Sequence, residues 1–71
     1  VSWAYYLSRG IINIELDQNQ RAVQDFDKAI QLDPDYATAY DNRGGAYRSL
    51  GQSFKADADK AKACSLDSQY C

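Results

Sequence analysis

Few side chains in this chain of 71 residues can do covalent, acid–base or metal chemistry. There are two cysteines, Cys64 and Cys71, together with nine Asp, one Glu and no His. Without His the commonest catalytic base is missing, and two Cys alone complete neither a His-containing nor a four-Cys zinc site. Most carboxylates lie three or four residues from a cation, as in Arg21/Asp25, Lys55/Asp59 and Asp59/Lys62. On a helix such spacing predicts solvated surface pairs that contribute only a few tenths of a kcal/mol each. Asp33-x-Asp35 matches the opening of a calcium loop, but Pro34 intervenes and Gly44 stands where the closing Glu belongs. No catalytic residue, metal site or cofactor is expected.

Composition and charge narrow the remaining classes. Net charge is −2, so no basic field holds a nucleic-acid backbone, and Arg43-Gly44-Gly45 is a lone tripeptide rather than an RNA-binding tract. No apolar run approaches the roughly 18 residues that a membrane-spanning helix needs. The absence of Met implies a piece of a longer protein or a processed chain. A chain this short buries a smaller share of its surface than a larger domain, so the source of its stability becomes a question of its own.

The elements that must position these residues come in two copies. At an offset of 34 residues, twelve of 37 aligned pairs are identical, against two or three expected by chance at roughly one match in fifteen. They include Tyr6/Tyr40, Arg9/Arg43, Gly10/Gly44, Ala22/Ala56, Asp25/Asp59, Ala29/Ala63 and Tyr36/Tyr70, and they spread over the whole period. Repeat one spans 3–36 and repeat two 37–70. In repeat one, Trp3, Tyr6, Leu7, Ile11 and Ile14 follow helical spacing, and Asp17-Gln18-Asn19 interrupts with Asn19 as a candidate N-cap. A second helix then places Ala22, Val23, Phe26, Ala29 and Ile30 on one side. Pro34 ends it, and Asp35 is a candidate cap for the next. Repeat two runs 37–50, turns at Gly51 and Gln52, and resumes over 53–66. The expected fold is all-α, one domain of four helices with short connections and antiparallel neighbours.

The cysteines can now be placed on these helices. In continuous helix, Cys64 and Cys71 would lie about 10 Å apart, beyond the roughly 7 Å that a disulfide permits. If the helix ends near Leu66, the tail 67–71 can fold back and close a small ring. Cys64 aligns with apolar Ile30, so a buried thiol beside a free terminal Cys is the alternative. The reduced state fits a cytoplasmic location, the default expectation; the oxidised state fits a periplasmic or secreted one. No basic group clearly activates either sulfur, which argues against thiol-redox chemistry.

The repeat resembles the tetratricopeptide repeat, a helix–turn–helix unit of about 34 residues. The resemblance rests on Tyr6-x2-Arg9-Gly10, Ala22-x3-Phe26-x2-Ala29 and Pro34, and in the second copy on Tyr40-x2-Arg43-Gly44-x2-Tyr47, Gly51, Ala56 and Ala63. Arg-Gly in place of Leu-Gly, with Leu32-Asp33-Pro34, is similar to a variant familiar from bacterial arrays. The resemblance implies a short right-handed solenoid that acts as a non-enzymatic protein-interaction scaffold. It also implies a concave groove formed by the first helix of each repeat, which would hold a peptide or helix of a partner. Leu7, Ser8, Ile11, Ile14 and Glu15, with Ala4, would line it in repeat one. Repeat two would add Thr38, Asp41, Asn42 and Arg48, with Gly45 and Ser49. Members that read chaperone tails grip a C-terminal carboxylate with Lys and Asn, at places taken here by Leu7 and Ile11, so that mode of binding is not expected.

Departures from the pattern bear on the two ends. Asp57, Lys60 and Ser68 replace Val23, Phe26 and Pro34, and an unpaired buried Lys would cost several kcal/mol. Asp57 and Lys60 should therefore face water, which makes repeat two a candidate capping repeat. Residues 3–16 instead carry eight large apolar side chains against three in 37–50. A preceding repeat, or a second copy of the chain in a homodimer, is expected to cover Trp3, Tyr5 and Ile12. Self-association through helix 3–16 is the alternative function.

Overall fold

The computed structural model describes residues 1–71 and is all helical, without strands. Four α-helices follow one another: α1 (Trp3–Glu15), α2 (Asn19–Leu32), α3 (Ala37–Ser49) and α4 (Ser53–Leu66), with a 3-10 turn over Ser68–Tyr70. α1 packs on α2, α3 on α4, and α2 on α3, so each repeat is a helical hairpin and the two hairpins join through α2 and α3. No helix is long and apolar enough to cross a membrane.

Small residues set the crossings. Ala22, Ala29, Ala56 and Ala63 are fully enclosed, and Phe26 is the one large side chain buried without residue. Ala22, Phe26 and Ala46 form the centre of the core, flanked by Leu7, Ile14 and Val23. This cluster draws on α1, α2 and α3, so it ties the two repeats together. Gly10 is buried where α1 crosses α2. A methyl group there would stand 2.6 Å from the Phe26 ring, so only Gly admits that ring.

Both hairpin turns use one device. Leu16 follows the end of α1 and Leu50 that of α3 as capping residues, and the next residue is left-handed in each: Asp17 at φ 60° and Gly51 at φ 77°. The amide of Gln18 donates to the Asn13 carbonyl at 2.7 Å, and that of Gln52 to the Tyr47 carbonyl at 2.9 Å. Each helix thus closes in a Schellman motif. Asn19 does not cap α2: it is the first helical residue, buried, and its side chain donates to Asp17 Oδ1 at 3.1 Å. Asp35 does not cap α3 either, since Tyr36 precedes that helix and no side chain caps it. Pro34 leaves α2 no way to continue, and Asp33 organises the bend instead by accepting the Asp35 amide at 3.3 Å. Asp67 does the same for Gln69 at 3.1 Å in repeat two.

Candidate functional site

Polar chemistry concentrates on two Arg–Asp clamps, and these depart from the expected surface pairs. Asp25 and Asp59 are only 4% and 5% exposed, and neither pairs with its near neighbour Arg21, Lys55 or Lys62. Arg9 reaches across from α1 with Nη2 2.7 Å and Nε 3.1 Å from the Asp25 carboxylate. Arg43 does the same from α3, with Nε and Nη2 each 2.8 Å from Asp59. Forked guanidinium–carboxylate pairing is what allows a carboxylate to lie between helices. Asn13 Nδ2 adds a third donor to Asp25 at 2.9 Å. Hydrogen bonds to these carboxylates hold both guanidinium pKa values above their ordinary one. The clamps join the helices of each hairpin, and every buried polar side-chain atom has a hydrogen-bond partner.

The sequence contained a signal for the clamps. Arg9/Arg43, Gly10/Gly44 and Asp25/Asp59 are all identical pairs, and Arg and Asp stand sixteen residues apart in both copies. Tyrosines surround them. The Arg9 guanidinium lies 5.1 Å from the Tyr5 ring centre, and Arg43 lies 5.5 Å from Tyr40 and 5.6 Å from Tyr47. Burial raises the Tyr47 pKa, so its ring stays neutral.

The expected groove residues divide into three groups. Leu7 and Ile14 are half-buried against the core cluster and present only an edge. Thr38, Asp41 and Arg48 have partners inside the chain. Thr38 Oγ1 lies 2.6 Å from the Tyr70 hydroxyl, Asp41 accepts from Lys60 Nζ at 2.7 Å, and Arg48 donates to Asp57 at 3.0 Å. Ser8, Ile11, Glu15 and half-buried Asn42 remain available. Spacings of three and four residues put Ser8, Ile11 and Glu15 on one strip of α1, and Asn42, Gly45 and Ser49 on one strip of α3.

Depressions in the surface meet these two strips only at their ends, at Ser8 and Ser49. One at the turns is lined by Asp17–Arg21 with Ser49 and Leu50, a second by Arg9, Asn13, Arg21, Gln24 and Asp25, and a third by Ala4, Tyr5, Ser8, Arg9 and Ile12. The first-helix strip is therefore an open surface rather than a pocket. Asp57 and Lys60 do stand at the surface, each paired with α3, while Phe54 on the same helix is 94% exposed. On the opposite side Tyr5 and Ile12 are exposed, whereas Trp3 is half-buried with its ring 4.4 Å from that of Tyr36. Cys64 and Cys71 are joined as a disulfide across Cα atoms 4.7 Å apart, because α4 ends at Leu66 and the 3-10 turn brings the tail back.

Comparison with known proteins agrees with this architecture. Hsc70-interacting protein 1 and Hsc70-interacting protein 2, both of Drosophila melanogaster, are each 35% identical to the chain over 63 residues, which is 89% of the chain. The match spans only 17% of the length of those relatives. No solved structure matches. A family model described as TPR repeat matches residues 10–52, from the Gly10 crossing to the turn before α4. Period, fold and match together place the chain in the TPR repeat family.

Proposed function

We propose that the chain is a non-catalytic protein-interaction scaffold that binds a peptide or helix of a partner along the strip formed by α1 and α3. One observation carries this reading. After the fold has used its polar groups in clamps and ion pairs, Ser8, Glu15 and Asn42 stand without an intramolecular partner beside exposed Ile11 on the first helices. Asn42 offers a donor and an acceptor to a peptide backbone, Ile11 an apolar contact, and Ser8 and Glu15 polar edges.

Two relatives carry Hsc70-interacting in their names, which makes an Hsc70-type chaperone the first partner to test. Leu7 and Ile11 supply no donor for a C-terminal carboxylate, so contact through an internal, partly apolar segment fits better than a tail clamp. Titration calorimetry of the chain with such a chaperone, and with the chaperone lacking its C-terminal tail, tests the reading. Equal affinity for both, weakened about tenfold by Asn42→Ala with Ile11→Ser, is the expected result. Binding lost with the tail, or indifferent to the paired substitution, contradicts it.

A further inference from the structure

Gly45 is the one glycine for which the fold gives no reason. Gly51 carries the left-handed turn after α3, and Gly10 admits the Phe26 ring. At Gly44 a Cβ would stand 3.2 Å from the Ala56 carbonyl oxygen and 3.3 Å from Cβ of Asp59, so α4 fills that place. A Cβ at Gly45 would meet nothing within 4 Å. Gly weakens a helix interior relative to Ala, and Gly45 stands in the interior of α3. No contact inside the chain offsets that loss.

The bare backbone lies on the strip between Asn42 and Ser49, and its counterpart 34 residues earlier is Ile11. Stacking of one repeat on the next does not cover this strip. Gly45 is open although repeat one precedes it, and Ile11 is 37% exposed although repeat two follows it. One turn beyond Ile11, exposed Glu15 ends α1, whose last turn holds no basic residue. Its carboxylate and the negative end of the helix dipole lie together there.

We propose that Gly45 is the seat of an aromatic side chain of the partner, whose segment also carries a basic residue toward Glu15. The inference rests on the scaffold reading above and specifies the segment that the strip takes. The occupant of Gly45 follows from Gly10, the helical glycine that meets a large side chain: there the missing Cβ leaves room for the ring of Phe26. A ring is broad and flat, so it covers bare helix backbone on an open surface without needing a deep pocket. Asn42 and Ser49 stand about one turn before and after Gly45 and can bond a phenol hydroxyl or the peptide groups beside the ring. The basic residue follows from charge, since Ser8 and Ile11 leave Glu15 the one charged member of its strip.

Calorimetry of the chain with an Hsc70-type chaperone, beside urea unfolding of each variant, tests the inference. Gly45→Ala should lower affinity about fivefold, and Gly45→Leu should lower it further. The unfolding midpoint of Gly45→Ala should stay at or above that of the unsubstituted chain. Glu15→Gln should lower affinity about threefold at low salt. In the isotopically labelled chain, the Gly45 Hα resonances should move upfield and show contacts to aromatic protons of the unlabelled chaperone. Unchanged or tighter binding by the Gly45 variants, while Asn42→Ala with Ile11→Ser still weakens it, overturns the aromatic seat and leaves the strip reading in place. Contacts from Gly45 to aliphatic protons alone do the same, and unchanged binding by Glu15→Gln overturns the basic residue. Binding that is absent, or indifferent to every one of these substitutions, overturns the strip reading and the inference together.

Discussion

A Cβ added to Gly10 would stand 2.6 Å from Cε1 of Phe26, so the crossing of α1 and α2 admits no side chain at that position. Ala is the better helix former by about 1 kcal/mol, yet forcing a methyl against a fully buried ring costs about 1–3 kcal/mol. Gly10→Ala should therefore destabilise the chain by about 1 kcal/mol in urea unfolding followed by circular dichroism. Gly45 has open space where its Cβ would project, so Gly45→Ala should stabilise by up to about 1 kcal/mol. Stabilisation by both substitutions would mean that the α1–α2 crossing is looser than described.

At Gly51 the space is equally open, but φ is 77°, so backbone conformation decides. Gly51→Ala should cost about 1 kcal/mol although it touches nothing. Asp17 holds the same left-handed position in repeat one, and Asp17→Gly should relieve part of that strain while losing the bond from Asn19. Thermal unfolding is the readout. Opposite signs for the two substitutions are expected, and a stabilising Gly51→Ala would show that the α3–α4 turn does not require the left-handed residue.

Arg43 joins α3, α4 and α2 through Asp59 and Asp27, whereas Arg9 joins only α1 and α2, bonding Asp25 beside a further donor from Asn13 and the hydroxyl of Tyr5 on its own helix. Arg43→Ala strands a buried Asp59 carboxylate and should cost on the order of 3 kcal/mol, a large share of a small domain's stability. Arg9→Ala should cost less, because Asp25 keeps Asn13 and the Arg9 side chain is half exposed. Equal losses in chemical unfolding would contradict this asymmetry between the two clamps.

These clamps also mark the limit of what the residues disclose. The two hairpins were readable from the 34-residue period, and the bounds of α3 and α4 from Pro34, Gly51 and the apolar spacing. The three- and four-residue rule makes Asp25 and Asp59 solvated because it treats each helix as isolated. Their true partners are sixteen residues away, and only hairpin closure makes them neighbours. Asn19 is not the cap for a related reason: the left-handed Asp17 turn leaves Gln18 as the residue before α2 and draws Asn19 inward as its first residue. The groove candidates came from the family resemblance, which does not disclose which of them pack inward or pair with α4.

The tail offers a prediction in pH. Asp67 accepts from the Gln69 side chain and amide, which holds its carboxyl below the ordinary 3.8. A lowered native pKa means that the support from Asp67 is complete above about pH 3.8 and is lost as pH falls through the lower native value. Nuclear magnetic resonance should find the Gln69 amide titrating with a midpoint below 3.8; a midpoint at or above it would show the Asp67 turn unformed. Reductant, which opens Cys64–Cys71, should separate Tyr70 from Thr38 and destabilise by at most about 2 kcal/mol. An unchanged intact mass on reduction would mean that the disulfide does not form in solution.

The most direct measurement for the scaffold itself is a chemical-shift map of the labelled chain on titration with an Hsc70-type chaperone. Binding along the first helices predicts the largest changes at Ser8, Ile11 and Asn42, with α2 and α4 little affected. Changes confined to Asn19–Leu32 and Ser53–Leu66 would contradict it, and would place the partner on the outer helices.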